Sequence, residues 1–168
     1  MGEGRILRAS RGFGWAGGVP VASADMTEVL IATDADAVFD EVDAALADEA
    51  TRVVRVRSGS AVAEVVADSS PDLVVLDLQI GNMGGIATCI HLRNEAGDGR
   101  LPDVPILMLL DRHADVHLAR RSGAEGWVVK PLDAFRLRRA ATAILSGSPS
   151  PEAQAPAEPE LVTDVNPA

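Results

Sequence analysis

Apolar residues along this chain fall into five short blocks, each followed by a stretch with helical spacing. Val29-Leu30-Ile31-Ala32 is the first block. After it, Val38, Phe39, Val42, Ala45 and Leu46 recur at the three- and four-residue steps of one helix face. Arg and Val interleave from Arg52 to Arg57, a period of two that suits an edge strand with one wet face. Val62, Val65 and Val66 mark a helix over 61–67. Leu73-Val74-Val75-Leu76-Asp77 and Ile106-Leu107-Met108-Leu109-Leu110 are continuous apolar runs of strand length. Between them Ile86, Cys89, Ile90 and Leu92 outline a helix over 85–95. A short helix is expected over 114–122, with Gly123 placed to end it. Trp127-Val128-Val129 is the last strand. Asp133 is placed to cap a final helix carrying Phe135, Leu137, Ala140, Ala141, Ile144 and Leu145.

Five repeats of strand then helix, joined by short connections, require right-handed crossovers and a parallel sheet. The expected fold is α/β, a doubly wound five-stranded parallel sheet in the flavodoxin-like order 2-1-3-4-5 with helices on both faces. Such sheets bind ligands beyond the carboxyl ends of their strands. Three of those ends carry suggestive groups: Thr33-Asp34-Ala35-Asp36 after the first strand, Asp77 at the end of the third, and Lys130-Pro131 after the fifth.

Composition supports the architecture. Hydrophobic residues make up 47% of the 168 and aromatics only 3%, so the core must be aliphatic. The formal net charge of −10 and pI near 4.6 oppose general affinity for nucleic acid or for an anionic membrane. No apolar run approaches the roughly 20 residues of a membrane helix. These features lead to an expectation of a cytoplasmic protein with neither nucleic acid nor membrane as partner. One cysteine, Cys89, excludes an intrachain disulfide and reads as a small core residue. His113 and His117 stand four apart, but two ligands make a poor metal site.

The strand ends have a shared chemical logic. A carboxylate that attacks a phosphoryl group is an anion approaching an anion. It needs a divalent cation, and Mg²⁺ prefers carboxylate and carbonyl oxygens. It also needs a point charge to hold the transferred oxygens, a role that suits lysine. Lys130 is the only lysine among 15 basic residues. In a chain that uses arginine everywhere else, its retention points to a lysine-specific task.

The stretch from Thr27 to about Leu145 resembles the receiver domain of two-component response regulators. The likeness is carried by Pro71-Asp72-Leu73-Val74-Val75-Leu76-Asp77-Leu78, by Met83-Gly84-Gly85, and by Ser122-Gly123-Ala124-Glu125-Gly126-Trp127 leading to Val129-Lys130-Pro131-Leu132-Asp133. The resemblance implies that Asp77 is the phosphoacceptor and Lys130 the phosphate clamp. It implies Mg²⁺ held by Asp34, Asp77 and the backbone carbonyl of Gln79. A histidine kinase or phosphotransfer protein would be the donor, and a homodimer through the fourth and fifth helices is implied as well. The basic cluster of Arg120, Arg121, Arg136, Arg138 and Arg139 falls on those helices. Trp127 takes the place of an aromatic residue that reorients on activation in the family. No enzymatic activity beyond self-phosphoryl transfer from a donor is implied.

The sequence departs from the family pattern at three places. Thr33 stands where receivers carry the first of two acids, which leaves Asp34, with Asp36 as a stand-in. A Ser or Thr expected near the end of the fourth strand falls on Met108 or, with a shortened loop, Leu110. No hydroxyl residue occurs between positions 89 and 121. Gly81 replaces the customary proline in the loop after Asp77. An alternative reading follows: a degenerate receiver that works as a phosphorylation-independent interaction module.

The ends are expected to lie outside the fold. Residues 1–25 form a leader rich in Gly and Arg without hydrophobic periodicity, and Met26 is a candidate translation start. Residues 26–146 form the receiver. Residues 147–168, rich in Pro, Ala and Glu, are expected to be a disordered tail that cannot bury enough apolar surface to offset chain entropy.

Overall fold

Leu76 and Val75 point to opposite sides of one strand, and both are wholly buried. That double burial runs through the centre of the molecule and explains the continuous apolar blocks. The computed structural model describes residues 26–154. The strands are β1 (Thr27–Ala32), β2 (Thr51–Val56), β3 (Leu73–Asp77), β4 (Ile106–Leu110) and β5 (Gly126–Val129). They pair in parallel, as the alternation of strand and helix predicts, and in the expected flavodoxin-like order β2-β1-β3-β4-β5.

The helices are α1 (Asp36–Leu46), α2 (Val62–Ser69), α3 (Gly85–Gly97), α4 (Val116–Ser122), α5 (Ala134–Leu145) and α6 (Pro151–Gln154). Two cores form, one on each side of the sheet. On one side Leu30, Val74, Leu76, Met108, Leu110 and Trp127 pack with residues of α2, α3 and α4. On the other, Ile31, Val75, Leu107, Leu109 and Val128 pack with α1 and α5. Each strand thus feeds alternate side chains to opposite cores.

Local chemistry fixes several element ends. The Asp133 carboxylate accepts the Arg136 N–H at 2.8 Å and caps α5. Gly123, with φ of 89°, ends α4 in the left-handed conformation. A single 3₁₀ turn, His113–Asp115, precedes α4, so the regular helix starts two residues later than its apolar spacing suggests. Among the described residues no helix is long and apolar enough to cross a membrane.

One segment differs from the expectation of a tail without structure. Residues 148–154 turn back after α5 and lie along β5, one of the two edge strands of the sheet. Ser150 is fully buried and its N–H donates to the Glu125 carbonyl at 3.4 Å. Ala153 packs on the core that holds Trp127, and Arg136 pairs with Glu152. Composition alone hides this, because the docking depends on one small residue, Ser150, fitting over Gly126. The leader (1–25) and positions 155–168 lie outside the described residues.

Candidate functional site

Asp77 ends β3 at the carboxyl edge of the sheet, only 2% exposed. A buried carboxylate must have its oxygens satisfied. Lys130, immediately after β5, donates from Nζ to Asp77 Oδ1 at 2.8 Å. The Gln79 N–H donates to the same oxygen at 3.2 Å. The Thr33 hydroxyl, at the end of β1, donates to Oδ2 at 2.8 Å. The order β1-β3-β4-β5 brings these strand ends together, and short-range sequence does not.

Lys130 also donates to Asp111 Oδ1 at 3.1 Å. Burial works to lower the lysine's pKa, but the hydrogen bond and charge of Asp77, then those of Asp111, outweigh it. The net shift is upward, so the ammonium is held in its charged form. Asp111 follows β4 directly. No signal beyond its place at a strand end marks it in the sequence, and its role at Lys130 emerges only from the tertiary contact.

Asp34 is exposed, and its Oδ2 accepts the Gly81 N–H at 3.3 Å. A Cβ at position 81 would stand 3.1 Å from that oxygen. A proline there would have no N–H to offer Asp34. Asp34, Asp77, Gln79 and Lys130 thus meet around the β3–α3 loop.

Asp36 is placed differently. Its Oδ1 accepts from Arg55 Nη1 at 2.6 Å and Arg57 Nη2 at 2.8 Å. These hydrogen bonds, Arg55 first, hold its carboxyl below the usual range. Its contacts run toward the edge strand β2 and not toward Asp77. Thr33, which the sequence presents as a lost acid, is the residue that touches Asp77.

The end of β4 is apolar. Leu109 pairs with Asp77 in register, Leu110 precedes Asp111, and both are fully buried. The Lys130 N–H donates to the Leu110 carbonyl at 2.8 Å, which fixes Leu110 as the last residue of the strand beside the lysine. Trp127 is 4% exposed, with the Arg120 guanidinium 5.4 Å over its ring.

Residues 29–142 match the response regulator receiver domain. The chain belongs to this family.

Among its relatives is the transcriptional regulatory protein AfsQ1 of Streptomyces coelicolor, 29% identical over 109 residues, covering 64% of this chain and 46% of that protein. CseB of the same organism is 30% identical over 112 residues, covering 66% of this chain and 45% of CseB. The DNA-binding response regulator MtrA of Mycolicibacterium smegmatis is 33% identical over 105 residues, 61% of this chain and 43% of MtrA. The receiver therefore spans under half the length of these relatives. Among solved structures, the NtrX receiver domain of Brucella abortus superposes with a TM-score of 0.62 at 25% identity, covering 71% of this chain and 99% of that one. The receiver domain of NarL from Mycobacterium tuberculosis gives 0.64 at 24%, covering 73% and 98%.

The donor set can be tested against a divalent cation. Two carboxylates and a backbone carbonyl around one loop fit a hard cation by donor type. Among the described residues no group of three His, Cys, Asp or Glu side chains is gathered to hold a metal. Thr33 contributes a hydroxyl and no charge. The set fits Mg²⁺, with one charge fewer than two acids at the end of β1 would give.

Proposed function

We propose that this receiver accepts a phosphoryl group on Asp77 from a histidine kinase or phosphotransfer protein and signals by protein contact. One observation carries the reading: Asp77, buried at the end of β3, faces the only lysine of the chain at 2.8 Å. In the reaction an Asp77 oxygen forms a bond to phosphorus while the P–N bond of the donor phosphohistidine breaks. The electron pair leaves with the imidazole, which takes up a proton. Lys130 holds charge on the transferred oxygens, and its fixed position needs no reorganisation during transfer. The Gln79 N–H and the Thr33 hydroxyl orient the attacking carboxylate. Asp34, Asp77 and the Gln79 carbonyl would hold Mg²⁺, which would offset repulsion between nucleophile and phosphoryl group.

AfsQ1, CseB and MtrA are named as transcriptional or DNA-binding regulators. For this chain we propose protein partners, in keeping with its net charge of −10. Self-association through α4 and α5 is part of the proposal, because Leu118 on α4 and Phe135 on α5 are 50% and 72% exposed. Of the arginines there, Arg138 donates to the Ala45 carbonyl and Arg136 pairs with Glu152. Arg139 is the better probe of that face, and its charge reversal should weaken any dimer in sedimentation.

The second reading, a phosphorylation-independent interaction module, draws on the apolar end of β4 and on Thr33. Acetyl phosphate with Mg²⁺, followed by intact-mass measurement, separates the two. A single phosphoryl adduct that is lost in Asp77→Asn supports the acceptor. No adduct, or one that persists in Asp77→Asn, favours the module.

A further inference from the structure

Each of the three groups bonded to Asp77 leads to a different part of the molecule. Gln79 belongs to the loop that Asp77 begins. Lys130 leads to Asp111. Thr33 leads furthest. Its hydroxyl donates to Asp77 Oδ2 and also accepts the Ala35 N–H at 3.2 Å, at the residue that caps α1. Its carbonyl accepts Arg55 Nε at 3.0 Å, from the edge strand β2.

Arg55 extends the path. Its guanidinium lies 5.1 Å over the Phe39 ring of α1 and pairs with Asp36 in the first turn of that helix. Its Nη2 is buried and has no hydrogen-bond partner among the described residues. An unpaired buried donor is costly, so this guanidinium has a spare bond to make if its surroundings shift. Thr33 itself is fully buried, so its hydroxyl has no water to turn to when Asp77 changes.

On the other flank of Asp77 the side-chain path is shorter: among the described residues it runs from Lys130 to Asp111, at the end of β4. Leu109 and Leu110 are buried aliphatics and offer only backbone groups, already used in the sheet. Trp127 is packed in the core with Arg120 over its ring.

We propose that Thr33 is the positioning residue that reports the state of Asp77, and that the surface it moves is the first turn of α1 with Arg55 and Asp36. The inference rests on Asp77 being the phosphoacceptor. As a carboxylate, Asp77 accepts the Thr33 hydroxyl as a charged acceptor. When one Asp77 oxygen bonds to phosphorus, forming an acyl phosphate, the other becomes a neutral carbonyl and the charge moves outward onto the phosphoryl oxygens. The hydroxyl then has a weaker acceptor where it stands and a stronger one beyond it. Reorienting disturbs its bond from Ala35 and, through the Thr33 carbonyl, its bond from Arg55.

The test maps backbone amide shifts of the isotope-labelled full chain before and after acetyl phosphate with Mg²⁺, with intact mass reading the adduct on the same sample. The largest shifts outside the Asp77 loop are expected at residues 33–39 and 55–57. Thr33→Val loses a bond that orients Asp77 and should form the adduct more slowly; at matched adduct it should lose at least half of those shifts, and Thr33→Ser should restore them. An adduct in the wild type with its shifts concentrated at residues 110–127 overturns the inference and leaves the acceptor reading standing. So does a Thr33→Val map that matches the wild type. Absence of any adduct overturns the acceptor reading and this inference together. If Thr33→Val does not fold, the wild-type map alone decides.

Discussion

Lys130 and Asp111 form an ion pair at 3.1 Å, and Asp111 keeps a second oxygen, Oδ2, that is buried without a hydrogen-bond partner among the described residues. Lys130 is thus shared between two carboxylates. A phosphoryl group arriving at Asp77 would meet the negative charge of Asp111 beside the cation meant to receive it. Asp111→Asn should raise the initial rate of adduct formation from acetyl phosphate several-fold, because a like charge is removed from the same small site. It should also bring the Lys130 ammonium closer to its ordinary titration range. An unchanged rate together with an unchanged Lys130 titration would show that Asp111 is a bystander.

Alkaline pH should destabilise the fold in two separable steps. The Cys89 thiol is pushed up, chiefly by burial, over a smaller opposing effect of the Ser122 side chain. An acid with a raised folded pKa favours the fold fully below its unfolded value, about 8.5, and loses that advantage above it. Lys130 is raised by its carboxylate partners over the effect of burial. Its contribution is complete below about 10.4 and is lost as pH rises through the higher folded value. The chain contains no tyrosine to blur this range. Urea midpoints should therefore fall from about pH 8.5 and again above about pH 10.5. Cys89→Ala should remove the first fall and Lys130→Met the second. A wild-type midpoint that stays flat to about pH 11 would contradict both assignments.

Gly59 braces the loop that carries the site. Its N–H donates to the Gly81 carbonyl at 3.3 Å, and a Cβ there would stand 1.9 Å from the Met83 carbonyl oxygen. The obstruction is backbone, so the loop must move. Gly59→Ala should cost about 1–3 kcal/mol, toward the upper end, as overpacking does. It should also slow adduct formation, because Gly81 holds Asp34 through its N–H. A urea midpoint within error of the wild type would mean that the 3₁₀ turn Gly59–Ala61 can move away from the loop without cost.

How far the sequence could be read depends on the range of the interaction. β3 and β4 announce themselves as aliphatic runs because both of their faces are buried. A parallel sheet follows from short right-handed crossovers, and the flavodoxin-like order expected for it is what lets Asp77, Asp34 and Lys130 be named from strand ends. Partnerships across strands are not legible in this way. Asp36 looks like a spare metal acid until Arg55 and Arg57, about twenty residues away, are seen to hold it. Thr33 looks like the loss of a charge. Nothing in its neighbours along the chain shows a hydroxyl 2.8 Å from an aspartate 44 positions later. Family likeness marks such positions as departures, and only the tertiary contacts show what the departures do.

The segment after α5 gives the last prediction. A Cβ built on Gly126 would lie 2.5 Å from both Cβ and Oγ of Ser150 and 2.9 Å from Ile144 Cδ1. Gly126 begins β5, so the seat for Ser150 exists only while position 126 lacks a side chain. The seated segment also covers part of an edge strand that would otherwise be open to pairing with another chain. Gly126→Ala should lower stability by about 1–3 kcal/mol and make residues 148–154 sensitive to protease. Ending the chain at Gly147 should lower stability as well, by removing the burial of Ser150 and Ala153 and the Arg136–Glu152 pair. The two changes act on one contact, so their effects should not add. In the shortened chain Gly126→Ala should cost clearly less, retaining only its clash with Ile144. Full additivity in a double-mutant cycle of urea midpoints would show that the segment does not sit on Gly126 in solution.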